Sequence, residues 1–294
     1  MNQSAKQQLS AKTSTDLLAR PAPAIPAPSW QALIWHNSRA HLLVIGFYTV
    51  FTLLFTWPLV LHLTDQGLSY YQYIVAGEPW DRDQNLWNLW WVRKSLFELH
   101  TNPFKTSFLF YPYGVGLYLH TLGPFNALLA QPLYPFFGWL GAYNLVNLIT
   151  MVWCGYSGFL LADYLVKDKR AAFVAGFFFT FSPQHLFNLL SSQINVITLQ
   201  FLALYLLYLI KLDREGFKVR WRGWLYTGLA AICLVICSLS DQYLLLYALI
   251  ITALYYAGRA ITSRKWREVG GLMARTMPAL LIGGLILSPY LWAT

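Results

Sequence analysis

The sequence predicts an all-α, polytopic transmembrane helical bundle of about seven spans, with a long extracytoplasmic first loop carrying interfacial helices. Three observations lead there. Apolar residues make up 57% of the chain and charged residues only 11%, a balance far from that of soluble domains. Apolar runs of roughly twenty residues, the length of a membrane-crossing helix, recur along the chain. Basic residues gather in clusters between those runs. The excess of Lys and Arg (21) over Asp and Glu (12) therefore reads as the basic bias of cytoplasmic loops, and no nucleic-acid partner is expected.

Residues 1–40 open the chain as an expected disordered cytoplasmic tail, rich in Ala, Pro, Ser and Gln, with the tract PAPAIPAP at Pro21–Pro28. Such a composition cannot bury a core. Residues 41–294 form the expected membrane module. Its spans are read at His41–Leu63, Ala142–Val166, Ala171–Pro183, Ile194–Ile210, Trp224–Ser240, Gln242–Arg259 and Gly271–Leu287. The third is short and ends at Ser182-Pro183. Leu119–Leu140 is apolar too, but Pro124, Pro132 and Pro135 interrupt it. It is read as an external segment that skirts or re-enters the membrane, because broken backbone at that depth needs shelter. Cys154, Cys233 and Cys237 all fall in apolar runs and read as small packing residues.

Orientation follows from the basic clusters Lys167–Arg170, Lys211–Arg222 and Arg259–Arg267. With all three inside, together with the tail, the connections 64–141, 184–193 and the corner at Asp241 lie outside. Seven spans satisfy this without an exception. The chain is thus expected in a plasma membrane, multi-pass, with its N-terminus in the cytoplasm and membrane lipids around it.

The first external loop holds the most suggestive chemistry, Asp81-Arg82-Asp83 ahead of NLWNLWWVRKSLFEL. Leu86, Leu89, Trp90, Leu96 and Phe97 recur at helical spacing, which predicts an amphipathic helix lying in the interface with its indoles at headgroup depth. Asp83 is placed to cap that helix. Asp81 is then either a base that takes a proton from an acceptor hydroxyl or a solvated acid paired with Arg82. Arg93 and Lys94 either snorkel toward water or meet lipid phosphates. His120, His185, Gln193 and Asp241 also fall outside on this topology. They are candidate substrate-binding residues, and Asp241 is equally a candidate cap. Asn144 and Asn147 are read as hydrogen-bonding groups between helices, and Asp163 as an ion-pair partner of Lys167. The spacing of His120, His185, Gln193 and Asp241 matches no metal motif, so no metal or other cofactor is expected, with a divalent cation, at that set or at Asp241, left open.

One span, a long external loop carrying Asp81 and Asp83, an interfacial helix and then further spans resembles the C-type superfamily of polytopic membrane glycosyltransferases. That group includes protein mannosyltransferases, the aminoarabinose transferase of lipid A and oligosaccharyltransferases. The run WNLWWVRKSLFELHTNPFKTSFLFYPYGVGL, with NPF at Asn102–Phe104 and YPYG at Tyr111–Gly114, resembles a poorly characterised bacterial branch and so implies a bacterial inner membrane. The resemblance covers about Leu42 to Tyr290. It implies a polyprenyl-phosphate-linked sugar as donor and an extracytoplasmic acceptor of unknown identity. The catalytic base would be Asp81 first and Asp83 second, with Arg82, Arg93 or Lys94 on the donor phosphate. Members usually continue through more spans than this sequence has, which implies an N-terminal portion or a split enzyme. The alternative function is a non-enzymatic subunit, or a transporter-like protein, in envelope-polymer assembly or export.

Overall fold

The computed structural model describes residues 30–68, 80–214, 220–263 and 266–291. The expected tail lies outside the described residues as far as position 29, but helix α1 already begins at Trp30 and runs to Phe55. Its end falls short of the expected Leu63. Pro58 accounts for this, since a proline lacks the N–H a helix needs and disfavours helical backbone before it. The chain continues through a turn and a short 3-10 segment at Leu59–Leu61.

The remaining helices are α2 (Trp80–Arg93), α3 (Pro124–Ala130), α4 (Tyr134–Val166), α5 (Lys169–Thr180), α6 (Pro183–Leu190), α7 (Gln200–Arg214), α8 (Arg220–Ser240), α9 (Gln242–Ser263) and α10 (Trp266–Leu291). A two-stranded hairpin pairs β1 (Lys105–Thr106) with β2 (Val115–Gly116), antiparallel. The fold is therefore mostly helical, as the sequence predicts.

Among the described residues, four segments are long and apolar enough to cross a membrane: Ser38–Phe55, Tyr134–Val166, Trp221–Ser240 and Gln242–Thr262. In α10 the apolar stretch is shorter, Thr276–Leu285. Helices α5 and α7 rise about 18 and 22 Å at 1.5 Å per residue, less than the roughly 30 Å hydrocarbon core. The expected span Ile194–Ile210 is helical only from Gln200. The expected external turn 184–193 is instead mostly helix α6. Pro183 in its first turn explains that start, because its fixed φ suits a helix opening and its missing N–H would be unbonded there anyway.

Leu119–Leu140 is not one continuous helix. It holds α3 and the first turn of α4, and Gly138 (φ +65°, ψ −175°) breaks α4 near its start. That left-handed backbone is open to glycine and costly for most other residues.

Helix α4 is the central strut. It packs closely on α5 because Gly176 has no side chain: a Cβ there would stand 2.5 Å from the Gly155 carbonyl oxygen and 2.8 Å from the Phe159 nitrogen. Small residues at such crossings let helices approach where lipid offers no hydrophobic drive. Tyr48 of α1 seals the contact, buried with its hydroxyl donating to Phe173 O at 2.8 Å.

Helix α2 differs from the expected surface helix. Leu89, Trp91 and Val92 are buried against Ala142, Tyr143 and Val146. The Trp91 indole is 2% exposed and donates to Pro103 O at 2.8 Å. The buried face includes Asn85 and Asn88, so polar residues that read as surface are interior. A single π-type turn, Lys94–Glu98, ends the helix.

The bundle has two chemically distinct ends. At one, Asn144 Nδ2 donates to Leu63 O (2.8 Å) and Gln66 O (2.7 Å), tying the loop after α1 to α4. The start of α2, residues 119–123, 191–199 and Asp241 meet at this end. At the other end stand Lys167, Lys211, Arg214 and Arg259. Asp163 does not pair with Lys167 as expected; Lys167 Nζ lies 4.4 Å from the centroid of the Tyr164 ring. The three cysteines are free and buried, as packing residues should be.

Candidate functional site

Helix α2 carries Asp81, Gln84, Asn85 and Asn88 on one stripe, since positions three, four and seven apart share a helix face. The stripe faces three loops. Asp81 Oδ2 accepts from Gln193 Nε2 at 3.2 Å. Gln84 Nε2 donates to Thr121 Oγ1 at 2.7 Å, and Asn85 Nδ2 donates to Ser192 O at 2.9 Å. Asn88 Nδ2 donates to Thr121 O at 2.8 Å. That fixes the amide, so its Oδ1 faces His120 Nε2 at 2.9 Å and the imidazole proton sits on Nε2.

The segment Ser191–Leu199 is irregular backbone inside the protein, and side chains take the place of a helix ladder. Ser192 has φ +64°. Its carbonyl accepts from Asn85 and from the Tyr143 hydroxyl (2.8 Å), while its own Oγ donates to Leu68 O at 3.0 Å. Asn126 Nδ2 donates to Ile194 O at 3.2 Å. His185, 1% exposed, places one ring nitrogen 2.7 Å from Thr180 O and the other 2.9 Å from Ile197 O. A left-handed, non-glycine residue held from three sides is the kind of stored strain found at functional sites.

Asp241 caps α9: its Oδ1 accepts from the Tyr243 N–H at 2.7 Å. Its Oδ2 accepts from Asn195 Nδ2. Beside it lies a cavity of about 250 Å³ lined by Leu119, His120, Thr121, Asp241, Gln242 and Tyr243. Ser240, fully buried, lines an adjoining recess, and its hydroxyl has no hydrogen-bond partner among the described residues. Burial pushes the His120 imidazole below its ordinary value of 6.5, which keeps it neutral at pH 7 with Nδ1 as an acceptor.

The structure thus brings Asp81, Gln193, His120 and Asp241 to the same end of the bundle in separate hydrogen-bonded groups: Asp81 with Gln193, His120 with Asn88, which also holds Thr121, itself bonded to Gln84, and Asp241 with Asn195. It leaves others apart. Asp83 is not a cap, because α2 begins at Trp80 and Asp83 sits inside the first turn, exposed. Its Oδ1 meets Arg82 Nε at 3.3 Å. Arg93 lies twelve residues from Asp81, about 18 Å along the helix. It donates to Gln131 Oε1 at 3.2 Å and stands over the Tyr134 ring at 5.1 Å. Lys94 pairs with Glu98 at 2.6 Å. His185 braces the interior. Among the described residues no three His, Cys, Asp or Glu side chains converge as a metal site would need.

Gln84, Asn85, Asn88, Thr121, Asn126 and Asn195 are site residues that the sequence reading missed. The signal for the first three was there: with Asp81 they make a polar stripe at helical spacing, inside a segment otherwise dominated by tryptophan and leucine. No family model, curated protein or solved structure matches the chain.

Chemically, Asp81 is a half-buried carboxylate with one oxygen held by Gln193 and the other without a partner among the described residues. It can accept a proton from a hydroxyl brought to that free oxygen. His120 Nδ1, Asp241 and Ser240 can hold a ligand rich in hydroxyls, and Arg82 is the one cation beside Asp81 on α2.

Proposed function

We propose that this protein is a membrane glycosyltransferase that moves a sugar from a polyprenyl-phosphate donor to an extracytoplasmic acceptor, with Asp81 as base. One observation carries the reading: Asp81 shares a stripe of α2 with Asn88, which holds His120 at the polar cavity it lines with Asp241, at the end of the bundle away from the basic clusters. On the positive-inside rule that end is extracytoplasmic, the side where an acceptor outside the cell would be met. The seven-span reading completes the picture, with α5, α7 and α10 crossing beside the four long apolar helices. Arg82 would face the donor phosphate, a charge-assisted contact. Arg93 at the end of α2 and Lys94 in the turn after it lie away from Asp81 and have no place in this step.

Asp81→Asn tests the reading. The variant keeps an acceptor oxygen for Gln193 but loses the basic carboxylate, so transfer of labelled sugar in membranes should fall about a hundredfold or more. Asp83→Asn should leave it nearly unchanged. Full transfer in Asp81→Asn, at equal protein level, would reject this mechanism.

A second reading, a non-enzymatic subunit in envelope-polymer assembly, draws on the hairpin. Phe110, Tyr111 and Tyr113 are 77%, 84% and 95% exposed, and aromatics so displayed are characteristic of contact surfaces. A partner retained in mild detergent and lost in Tyr111→Ser/Tyr113→Ser, together with indifference to Asp81→Asn, would favour it.

A further inference from the structure

The hairpin and the turn after α2 form a groove that the transfer reaction does not use. Its volume is about 560 Å³, and Trp91, Thr101, Asn102, Ser107, Phe108 and Tyr113 are among the residues that line it. Trp91 lies ten residues after Asp81, about 15 Å along α2, so the two places are separate. The volume falls within the roughly 300–1,000 Å³ of pockets for drug-sized ligands. That is room for more than one six-membered ring.

The groove is built on fixed parts. Trp91 is buried, and its indole donates to Pro103 O at 2.8 Å. The Phe108 ring packs on Trp91 at 5.3 Å between centroids and on Trp90 at 5.7 Å, edge-on, yet Phe108 is 53% exposed. It is therefore held from one side and open on the other. The Phe108 N–H donates to Thr106 Oγ1 at 3.1 Å, and the Leu117 N–H donates to Phe104 O at 2.8 Å at the hairpin's base. Gly114 (φ +73°) passes so close to Thr106 O that a Cβ would stand 2.6 Å from it, so this turn needs glycine.

Beside these aromatic faces lie exposed polar side chains, Thr101, Asn102 and Ser107. The Asn102 amide is oriented from within: its Oδ1 accepts from the Phe104 N–H at 2.9 Å and its Nδ2 donates to the Tyr118 hydroxyl at 3.2 Å. An amide has two donors and two lone pairs, so it can serve a ligand as well. A pyranose ring is amphipathic in the matching sense. Its faces carry C–H groups, which the negative face of an aromatic ring attracts, and its edge carries hydroxyls that both donate and accept. An acyl chain would strip water from Thr101, Asn102 and Ser107 and give nothing back. We infer that the groove binds a short oligosaccharide, with one ring stacked on Phe108 and hydroxyls on Thr101, Asn102 and Ser107. Binding there is independent of transfer at Asp81.

An array of short oligosaccharides and their single-ring counterparts tests this, probed with the full chain in lipid nanodiscs, because detergents with sugar headgroups would compete. Wild type should bind at least one oligosaccharide, and its single ring about tenfold more weakly or less. Phe108→Leu should lose about tenfold in affinity for that oligosaccharide, as expected for an aromatic stack. Phe108→Tyr, which keeps the ring, should retain the binding and so separates loss of the platform from misfolding. Asp81→Asn should bind as wild type. Absence of binding to every oligosaccharide, or unchanged binding by Phe108→Leu, would overturn the site. Loss of binding in Asp81→Asn would move the glycan to the transfer site instead. A protein subunit that copurifies with wild type and is lost in Phe108→Leu, with no oligosaccharide bound, would give the groove to a protein.

Discussion

At the scale of single residues, the amides of α2 decide what the site can do. Asn88 holds His120 by its oxygen and the Thr121 carbonyl by its nitrogen, so one side chain sets both a ring and a loop. The lowered His120 pKa has a definite consequence for stability. The unfolded chain binds the proton more readily than the folded one as the pH falls below 6.5, so stability is full above that value and declines toward acid. Melting temperatures in detergent should drop from pH 7.5 to pH 5, and His120→Gln, which keeps a donor for Asn88, should flatten the drop. An equal drop in the variant would mean that another group is responsible. A second expectation concerns Ser192, whose carbonyl depends on Asn85 and Tyr143. Tyr143→Phe alone should cost about 1 kcal/mol, because Asn85 still satisfies the carbonyl. Asn85→Ala with Tyr143→Phe should cost about 2 kcal/mol more than the two single changes added, since only then is a buried acceptor orphaned. Additive losses, measured by chemical unfolding in micelles, would contradict that role for the strained turn.

At the scale of elements, most helices were legible and their ends less so. The stretches Ala142–Val166, Trp224–Ser240 and Gln242–Arg259 read as long apolar helices because composition alone marks a membrane-length helix, and the structure has helices there. The first helix was read eight residues too long because hydropathy runs smoothly through Pro58 while backbone chemistry does not. The expected helical start at Ile194 failed for a different reason. Ile194, Val196 and Ile197 are apolar, but their backbone is irregular and is held by Asn126, His185 and Cys154 from distant parts of the chain. No local pattern announces such support. Asp83 suits a cap by residue type, which would start α2 at Gln84; the structure starts it four residues earlier, at Trp80. The α4–α5 crossing yields a prediction at this scale. Gly176→Leu would force a side chain into the Gly155 and Phe159 backbone and the Tyr48 hydroxyl, at a cost of about 3 kcal/mol or more. The variant should aggregate or unfold early in a size-exclusion thermal ramp, whereas Gly228→Leu, at a position with open space, should behave as wild type. Similar behaviour of the two would show that α4 and α5 do not need their close approach.

At the scale of the whole molecule, the two ends of the bundle differ in chemistry, one polar and one basic. With four long apolar helices among the described residues, α5 and α7, each too short to cross unaided, need some other account. Packing supplies one: Ala172, Gly176 and Thr180 of α5 are buried against neighbours, and alternate residues of α7 are buried along its length. Helices sheltered in this way need not match the bilayer thickness by themselves. If all seven segments cross, the hairpin and the basic turn after α4 lie on opposite sides of the membrane. If the proline-broken segment 119–140 crosses as well, they lie on the same side, and the Asp81 network and the basic cluster no longer face different compartments. Single cysteines separate the two cases. The native Cys154, Cys233 and Cys237 are buried and should resist a membrane-impermeant maleimide. Ser107→Cys, exposed on the hairpin, should label in intact cells. Arg170→Cys, exposed at the start of α5, should label only after permeabilisation. Labelling of both positions from outside would place the extra crossing at 119–140 and remove the sidedness on which an extracytoplasmic transfer at Asp81 depends.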